Sequence, residues 1–196
     1  MKKIVSILFI LTALLGSLSA NETKAPSLDI TDINGKTYEI TGTDSGLKIA
    51  GMEGKVVFLE FFGHRCPPCL ASIPHLKHLQ NKYKDKLAII AIEVQGLAPA
   101  QLKAFAKEKG MNYTVVSGEQ ERLFVSYISQ RAQWQGSIPF LLALDPSGDV
   151  QFIQAGMLPE SSLESLVQQL SVAPKAAPAP TKTEANTTHT PTTPTK

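Results

Sequence analysis

The chain has only two cysteines, and they lie three positions apart, at Cys66 and Cys69. Two thiols at this spacing can close into one disulfide, so the pair can carry out two-electron thiol–disulfide exchange. A continuous apolar run over 56–62 has the length of a buried strand, and a helical pattern follows the cysteines. We therefore expect the pair where a strand turns into a helix.

This position would give the two thiols different roles. The N-terminus of a helix favours a thiolate, because its backbone N–H groups and its dipole stabilise negative charge. Cys66 is predicted to be the attacking thiol there, and the more buried Cys69 the resolving thiol. Pro67 and Pro68 fit the first turn, where proline costs little. The positive charge of Arg65 would further favour the thiolate.

Two other uses of the cysteines are disfavoured. A zinc site would need a second ligand pair, and the spacing of His75 and His78 after Cys69 does not match that of a zinc finger. Both histidines are expected on the polar face of a helix, and no metal is expected. A purely structural disulfide is also disfavoured, because closing so short a loop gives little entropic stabilisation.

The two ends of the chain differ in composition from its middle. Residues 1–20 combine Lys2 and Lys3 with an apolar run and small residues, which is typical of a secretory signal peptide. An uncleaved membrane anchor is the alternative. Residues 173–196 are mostly Ala, Pro and Thr and are predicted to be a disordered tail. Export would place the dithiol in an oxidising, periplasmic or otherwise extracytoplasmic compartment.

The remaining residues, 21–172, have the length of one domain. They hold 14 basic and 16 acidic side chains, so the basic character of the whole chain belongs to its ends. This near-neutral charge gives no indication of nucleic-acid binding.

Strand and helix patterns alternate along this domain and predict an α/β fold. A hairpin is expected around Asn34-Gly35, and a second one around residues 145–148. Further strands are expected at 56–62, 87–94 and 113–116, and helices at 66–84 (interrupted by Pro74), 98–110, 119–130 and 159–171.

Three motifs occur together in this chain: Asn34-Gly35-Lys36, the run from Gly54 through Cys69, and Gly136-Ser137-Ile138-Pro139-Phe140 followed by Asp145-Pro146-Ser147-Gly148. Together they resemble the TlpA/ResA-like branch of thioredoxin-fold thiol–disulfide oxidoreductases. The resemblance covers about residues 26–171. It implies a thioredoxin-like mixed β-sheet flanked by helices, with an N-terminal β-hairpin and a central strand–helix insertion within 97–116.

The resemblance also implies roles outside the cysteines. Pro139 matches the family's cis-proline, and the backbone of Ile138 would pair with an extended substrate segment; a simple strand-initiating proline is the alternative. Glu60 matches a buried acid that exchanges a proton with Cys69, whereas the alternative reading turns it toward solvent. His64 and Arg65 would line the entrance and tune the cysteine potential.

Two departures from the family pattern are visible. The acid common three positions after the second cysteine is replaced by Ser72, and the aromatic residue before the first cysteine is replaced by Arg65. The segment 120–135 is longer than the family needs. Its Tyr127 and Trp134 are expected to contribute to a substrate surface.

The sequence thus predicts an enzyme that exchanges disulfides with protein substrates and needs no cofactor beyond its own redox-active cysteine pair. The leading function is reduction of disulfides in exported proteins such as apocytochromes c. A membrane electron donor or acceptor protein is the expected redox partner. A disulfide-forming oxidant or isomerase is the alternative. A non-enzymatic binding domain and a thiol peroxidase are disfavoured, the first because the dithiol is intact and the second because a peroxidatic cysteine does not use this pair.

Overall fold

A computed structural model describes residues 27–172. The predicted signal peptide or anchor and the predicted tail lie outside this range. Residues 21–26 of the expected domain lie outside it as well. Within the described residues, no helix is long and apolar enough to cross a membrane.

The centre of the fold is a five-stranded mixed sheet. Four short strands precede this sheet in the chain, so its own strands are numbered β5 (Val56–Phe62), β6 (Leu87–Glu93), β7 (Thr114–Ser117), β8 (Phe140–Leu144) and β9 (Val150–Ala155). Their spatial order is β7-β6-β5-β8-β9. The first three strands run parallel, whereas β8 and β9 are antiparallel to their neighbours. This arrangement confirms the predicted mixed sheet.

Strand β5 occupies the middle of the sheet and is buried along its whole length. Its side chains alternate between the two faces, as the pleat requires. Val57, Leu59 and Phe61 join the core on one face. Val56 and Phe58 join a second cluster on the other face.

Four helices cover the sheet. They are α1 (Pro67–Lys82), α2 (Pro99–Lys109), α3 (Arg122–Arg131) and α4 (Glu160–Ser171). Leucines of α1 and α4 pack on the Phe58 face, and Leu102 of α2 packs beside Phe62 on that same face. Phe124 and Ile128 of α3 pack on the opposite face.

The expected interruption of α1 at Pro74 is wrong, because the helix continues through this residue. Proline removes one backbone donor from the helix and leaves the rest of the ladder in place. Pro74 lies on the exposed side, while Ile73, Leu76 and Leu79 are buried against the sheet. Packing of these apolar neighbours therefore holds the helix together across the proline.

Two short ribbons precede the central sheet. The predicted N-terminal hairpin pairs β1 (Ile30–Thr31) with β2 (Thr37–Tyr38), and Gly35 adopts a φ of 86° in its turn. A second ribbon of β3 (Ile40–Gly42) and β4 (Leu47–Ile49) was not predicted. Its three-residue strands are too short to give a periodic signal.

The predicted strand–helix insertion is also present. It consists of α2 and β7, and β7 forms the edge of the central sheet beside β6. The insertion brings Tyr113 and Leu102 close to the segment that carries the cysteines.

Candidate active site

The two cysteines lie where β5 gives way to α1. Cys66 is the N-cap of α1 and has extended backbone angles, φ −103° and ψ 104°. Its Sγ accepts a hydrogen bond of 3.3 Å from the backbone N–H of Cys69. Pro67 and Pro68 occupy the first two helical positions, as predicted, and both are exposed. The helix N-terminus thus presents an otherwise unpaired N–H group to the first sulfur.

Cys66 and Cys69 are joined by a disulfide, with their Cα atoms 5.2 Å apart. Cys66 is 7% exposed and Cys69 only 1% exposed. A nucleophile from outside reaches the sulfur that is nearer the surface, so this difference agrees with an attacking role for Cys66. The burial of Cys69 agrees with a resolving role.

A loop carrying a cis peptide bond faces the disulfide. The bond between Ile138 and Pro139 is cis, as predicted. The carbonyl oxygen of Ile138 lies 3.8 Å from the Sγ of Cys66. Pro139 is buried, and its carbonyl oxygen accepts a 2.8 Å hydrogen bond from the backbone N–H of Gly156. The backbone of Ile138 is thereby fixed beside the sulfur that a substrate would reach.

Trp134 supports this loop from behind. Its ring stacks on Phe140 with a centroid separation of 5.3 Å and lies 4.7 Å from the centroid of Phe61. Its Nε1 donates a 2.7 Å hydrogen bond to the carbonyl oxygen of Ser137. Trp134 and Tyr127 are both half-buried and pack against the core. Their expected contribution to a substrate surface stays a prediction.

Glu60 is buried beneath the site, with only 5% of its surface exposed. It lies on the same face of β5 as Phe58 and Phe62, so the alternative in which it points to solvent is wrong. Burial raises the pKa of Glu60 to about 8, because the charged carboxylate loses its hydration. Ser72, Pro139 and Leu158 line a small cavity together with this carboxyl group. Ser72 is buried at the position where the family often has an acid.

Tyr113 lies beside this buried acid and was not identified from the sequence. Its hydroxyl oxygen is buried, and it has no hydrogen-bond partner among the described residues. Burial, and secondarily the negative charge of ionised Glu60, raises the pKa of Tyr113 above its usual value. A tyrosine at the start of a short strand carries no sequence signal of this proximity.

His64 and Arg65 directly precede Cys66 in the chain. Arg65 is exposed, whereas His64 is half-buried. The Nδ1 atom of His64 lies 2.9 Å from Oε1 of Glu93, a fully buried carboxyl at the end of β6. Glu93 was also missed, although an acid at the end of the apolar run 87–92 could have indicated it.

The described residues contain no group of three His, Cys, Asp or Glu side chains that could hold a metal ion. His78 lies on the exposed side of α1, where it pairs with Glu160. The redox centre among these residues is the cysteine pair itself.

The sheet, the dithiol at a helix N-terminus and the facing cis-proline together define a thioredoxin-fold thiol–disulfide oxidoreductase. The chain belongs to the AhpC/TSA family, which it matches over residues 22–153. It is 27% identical over 149 residues to the thiol–disulfide oxidoreductase ResA of Bacillus thuringiensis, covering 76% of this chain and 77% of that protein. ResA of Bacillus subtilis is 26% identical over 140 residues, covering 71% and 69% of the two chains.

The solved structures agree on the fold. A thiol:disulfide interchange protein of the thioredoxin family from Chlorobium tepidum superposes with a TM-score of 0.56 at 24% identity. The match covers 75% of this chain and 94% of that one. These similarities confirm the resemblance on which the predicted fold and enzyme class depend.

The buried carboxyl of Glu60 generates a prediction about stability. In the folded protein, the carboxyl group of Glu60 holds its proton up to about pH 8, whereas in the unfolded chain it releases the proton near pH 4.5. The folded state therefore binds more protons between these values, and the free energy of unfolding falls as the pH rises through the window. We expect the oxidised Glu60→Gln variant to lack this decline, which amounts to roughly 3 kcal/mol by pH 7.

The measurement is urea unfolding of the oxidised protein from pH 4.5 to 8.5, compared with wild type at each pH. The exposed Glu39 provides a matched control, because Glu39→Gln removes an exposed carboxyl group and leaves the buried Glu60 in place. Equal pH slopes for wild type and Glu60→Gln would show that Glu60 ionises normally in the folded protein.

Proposed function

We propose that this protein is an extracytoplasmic thiol–disulfide oxidoreductase that reduces disulfides in selected exported proteins, such as apocytochromes c. The observation that carries the proposal is the position of Cys66 Sγ, capped by the N–H of Cys69 and 3.8 Å from the Ile138 carbonyl. A helix N-terminus stabilises the thiolate there. The loop carbonyl lies where an extended substrate segment can pair with it.

In the reduced protein, the Cys66 thiolate attacks one sulfur of a substrate disulfide. The sulfur–sulfur bond of the substrate breaks, its second sulfur leaves as a thiolate, and Cys66 forms a mixed disulfide. The ionised carboxylate of Glu60 accepts the proton of Cys69, whose thiolate then attacks Cys66 Sγ. The Cys66–Cys69 disulfide forms and the first substrate sulfur departs, so two electrons pass to the substrate.

Glu60 suits this proton transfer because its pKa of about 8 lies near the working pH. It holds a proton in part of the population and accepts one in the rest. Ile138 and Pro139 would bind the substrate backbone, and Pro139 provides no N–H that would join the loop to a strand. Arg65, Pro67 and Pro68 would tune Cys66 from the exposed side.

The location and partners are inferred from the chain ends and the chemistry. Residues 1–20 would direct export or act as an anchor, 21–172 would form the catalytic domain, and 173–196 would be a tail. An oxidising compartment does not reduce the disulfide on its own. Regeneration would therefore require a dithiol donor protein at the membrane.

The alternative is a disulfide-forming oxidant or isomerase. One observation favours it: the sulfur of Cys66 accepts a hydrogen bond from the N–H of Cys69, which stabilises the thiolate and hence the reduced form, and the basic residues His64 and Arg65 directly precede Cys66 in the chain. The direction of electron flow depends on the reduction potential of the pair, so that potential decides between the two functions.

The test combines the potential with turnover. We expect glutathione titration to give a potential near that of thioredoxin, about −270 mV, and we expect the reduced protein to reduce insulin. A value near about −120 mV would favour the oxidant instead. Absence of insulin turnover would contradict the enzyme, and rapid peroxide consumption would favour a peroxidase.

Client proteins can be captured with Cys69→Ser, which leaves the mixed disulfide unresolved. We expect exported cysteine-containing proteins to accumulate on this variant and to be released by a reductant. The matched control is Cys66→Ser, which retains one thiol but loses the attacking one. Equal capture by the two variants would mean that Cys66 is not the nucleophile.

The support of the cis-proline loop by Trp134 yields a further prediction. Trp134→Phe keeps an aromatic ring against Phe140 but removes the N–H that holds the Ser137 carbonyl. We expect kcat/KM for insulin to fall by about threefold to tenfold, because one hydrogen bond contributes about 1 kcal/mol. The reaction with glutathione disulfide should change less than twofold, since a small substrate needs less of the loop. An equal fall for both substrates would mean that the substitution alters the reactivity of the cysteines and not the binding of the protein substrate by the loop.

A further inference from the structure

Two loops meet beside the dithiol and hold each other through several polar contacts. The first loop follows β5 and contains Gly63, His64 and Arg65. The second follows β6 and contains Gln95, with Glu93 as the last residue of the strand. We call these five residues the entrance clasp.

Glu93 is the centre of this clasp. Its side chain has no exposed surface, and its two carboxyl oxygens have separate partners. Oε1 lies 2.9 Å from Nδ1 of His64 and accepts a 3.0 Å hydrogen bond from the backbone N–H of Gln95. Oε2 accepts a 2.9 Å hydrogen bond from the backbone N–H of Leu97. An ionised carboxylate only accepts hydrogen bonds, so Nδ1 of His64 is the donor.

Gln95 forms the second half of the clasp. Its Oε1 accepts a 2.8 Å hydrogen bond from the backbone N–H of Arg65, the residue that precedes Cys66. A Cβ atom on Gly63 would lie 2.3 Å from Cδ of Gln95, which is too close for any contact. A glycine at this position therefore lets the Gln95 side chain cross the loop, and the backbone leading to Cys66 is held by it.

We propose that Glu93 is a positioning residue that holds the His64 ring in a fixed orientation on the loop leading to Cys66 and thereby moderates the reducing power of the dithiol. This inference rests on the proposed oxidoreductase function and deepens it. A carboxylate that accepts from Nδ1 fixes the orientation and the tautomer of the ring. When the ring is protonated, its positive charge, two residues before Cys66, stabilises the thiolate over the disulfide.

The other charges near His64 leave this arrangement intact. Arg65 is exposed on the same loop and adds positive charge. The first turn of α1 carries no ionisable side chain other than Cys69, and residues 137–139 carry none. On the loop after β7, Glu119 lies near the turn at Gly96, where it is exposed and pairs with Arg122. Glu93 is thus the carboxylate in direct contact with His64.

The consequence concerns which disulfides the protein can reduce. A stabilised thiolate raises the reduction potential, because the reduced form is favoured. A dithiol with a higher potential transfers electrons to labile, strained or exposed disulfides and leaves the more stable structural disulfides of exported proteins oxidised. The clasp would therefore confine reduction to labile clients.

A double-mutant cycle tests this coupling. His64→Asn keeps a donor near the Nδ1 position and removes the charge, and Glu93→Gln removes the carboxylate. We expect His64→Asn to lower the rate of Cys66 alkylation by iodoacetamide at pH 6.5 by about threefold to tenfold. The equilibrium constant with glutathione should change by the same factor, which makes the potential more negative by about 14 to 30 mV.

The coupling appears when the same substitution is made in other backgrounds. In Glu93→Gln, His64→Asn should change the alkylation rate less than twofold, because the ring is no longer held. The exposed Glu119 provides the matched control, and His64→Asn should keep its full effect in Glu119→Gln. A full effect of His64→Asn in Glu93→Gln, or no effect in wild type, would overturn the proposal.

Glu93→Gln removes a buried acceptor and is at risk of not folding, so a measurement on wild type is also needed. Nitrogen-15 NMR of the histidine ring should find a proton on Nδ1 of His64, which donates to Glu93, at every pH of the titration. Protonation on Nε2 alone would overturn the proposal. These readouts do not depend on a client: failure of insulin turnover in wild type would contradict the proposed function, whereas additive mutations with normal turnover would contradict the clasp alone.

Discussion

The burial of β5 on both faces is the constraint on which the site depends. A central strand paired on both edges and covered on both faces has no freedom to shift its register. Its last residue, Phe62, is therefore placed within the core, and the chain must leave the sheet at Gly63. Three residues later, α1 begins with Cys66 as its N-cap. The apolar packing of β5, which takes no part in the reaction, thus determines the position of the dithiol.

The same sheet brings the other parts of the site to the cysteines. β8 pairs with β5 in antiparallel orientation, so the loop that precedes β8 reaches the end of β5 where the cysteines lie. This places the Ile138 carbonyl beside Cys66. β6 pairs with β5 in parallel orientation, so Glu93 lies opposite Phe62 at the same end. Burial then gives the two acids different environments: Glu60 lies in an apolar layer, whereas Glu93 is surrounded by hydrogen-bond donors.

Much of the fold and part of the site could be predicted because the signals were local. The apolar run of β5, the Asn34-Gly35 turn and the spacing of Cys66 and Cys69 each indicate a structure within a few residues. The predicted interruption of α1 at Pro74 was wrong, because tertiary packing overrode a local helix breaker. The contacts of Trp134 with Phe61 and Phe140 were not predicted, because its sequence neighbours do not reveal them.

By itself, the sequence determined the class of reaction, the place of the dithiol between a strand and a helix, and the order of the elements of the central sheet. These follow from residue type and short-range spacing. Only the tertiary structure decided the partners of His64, the contact of Ile138 with Cys66 and the proximity of Tyr113 to Glu60. Each of these joins residues between 29 and 72 positions apart, and such pairs meet only after the sheet has aligned its strands. Local sequence patterns do not specify that alignment, because it is set by the packing of the whole core.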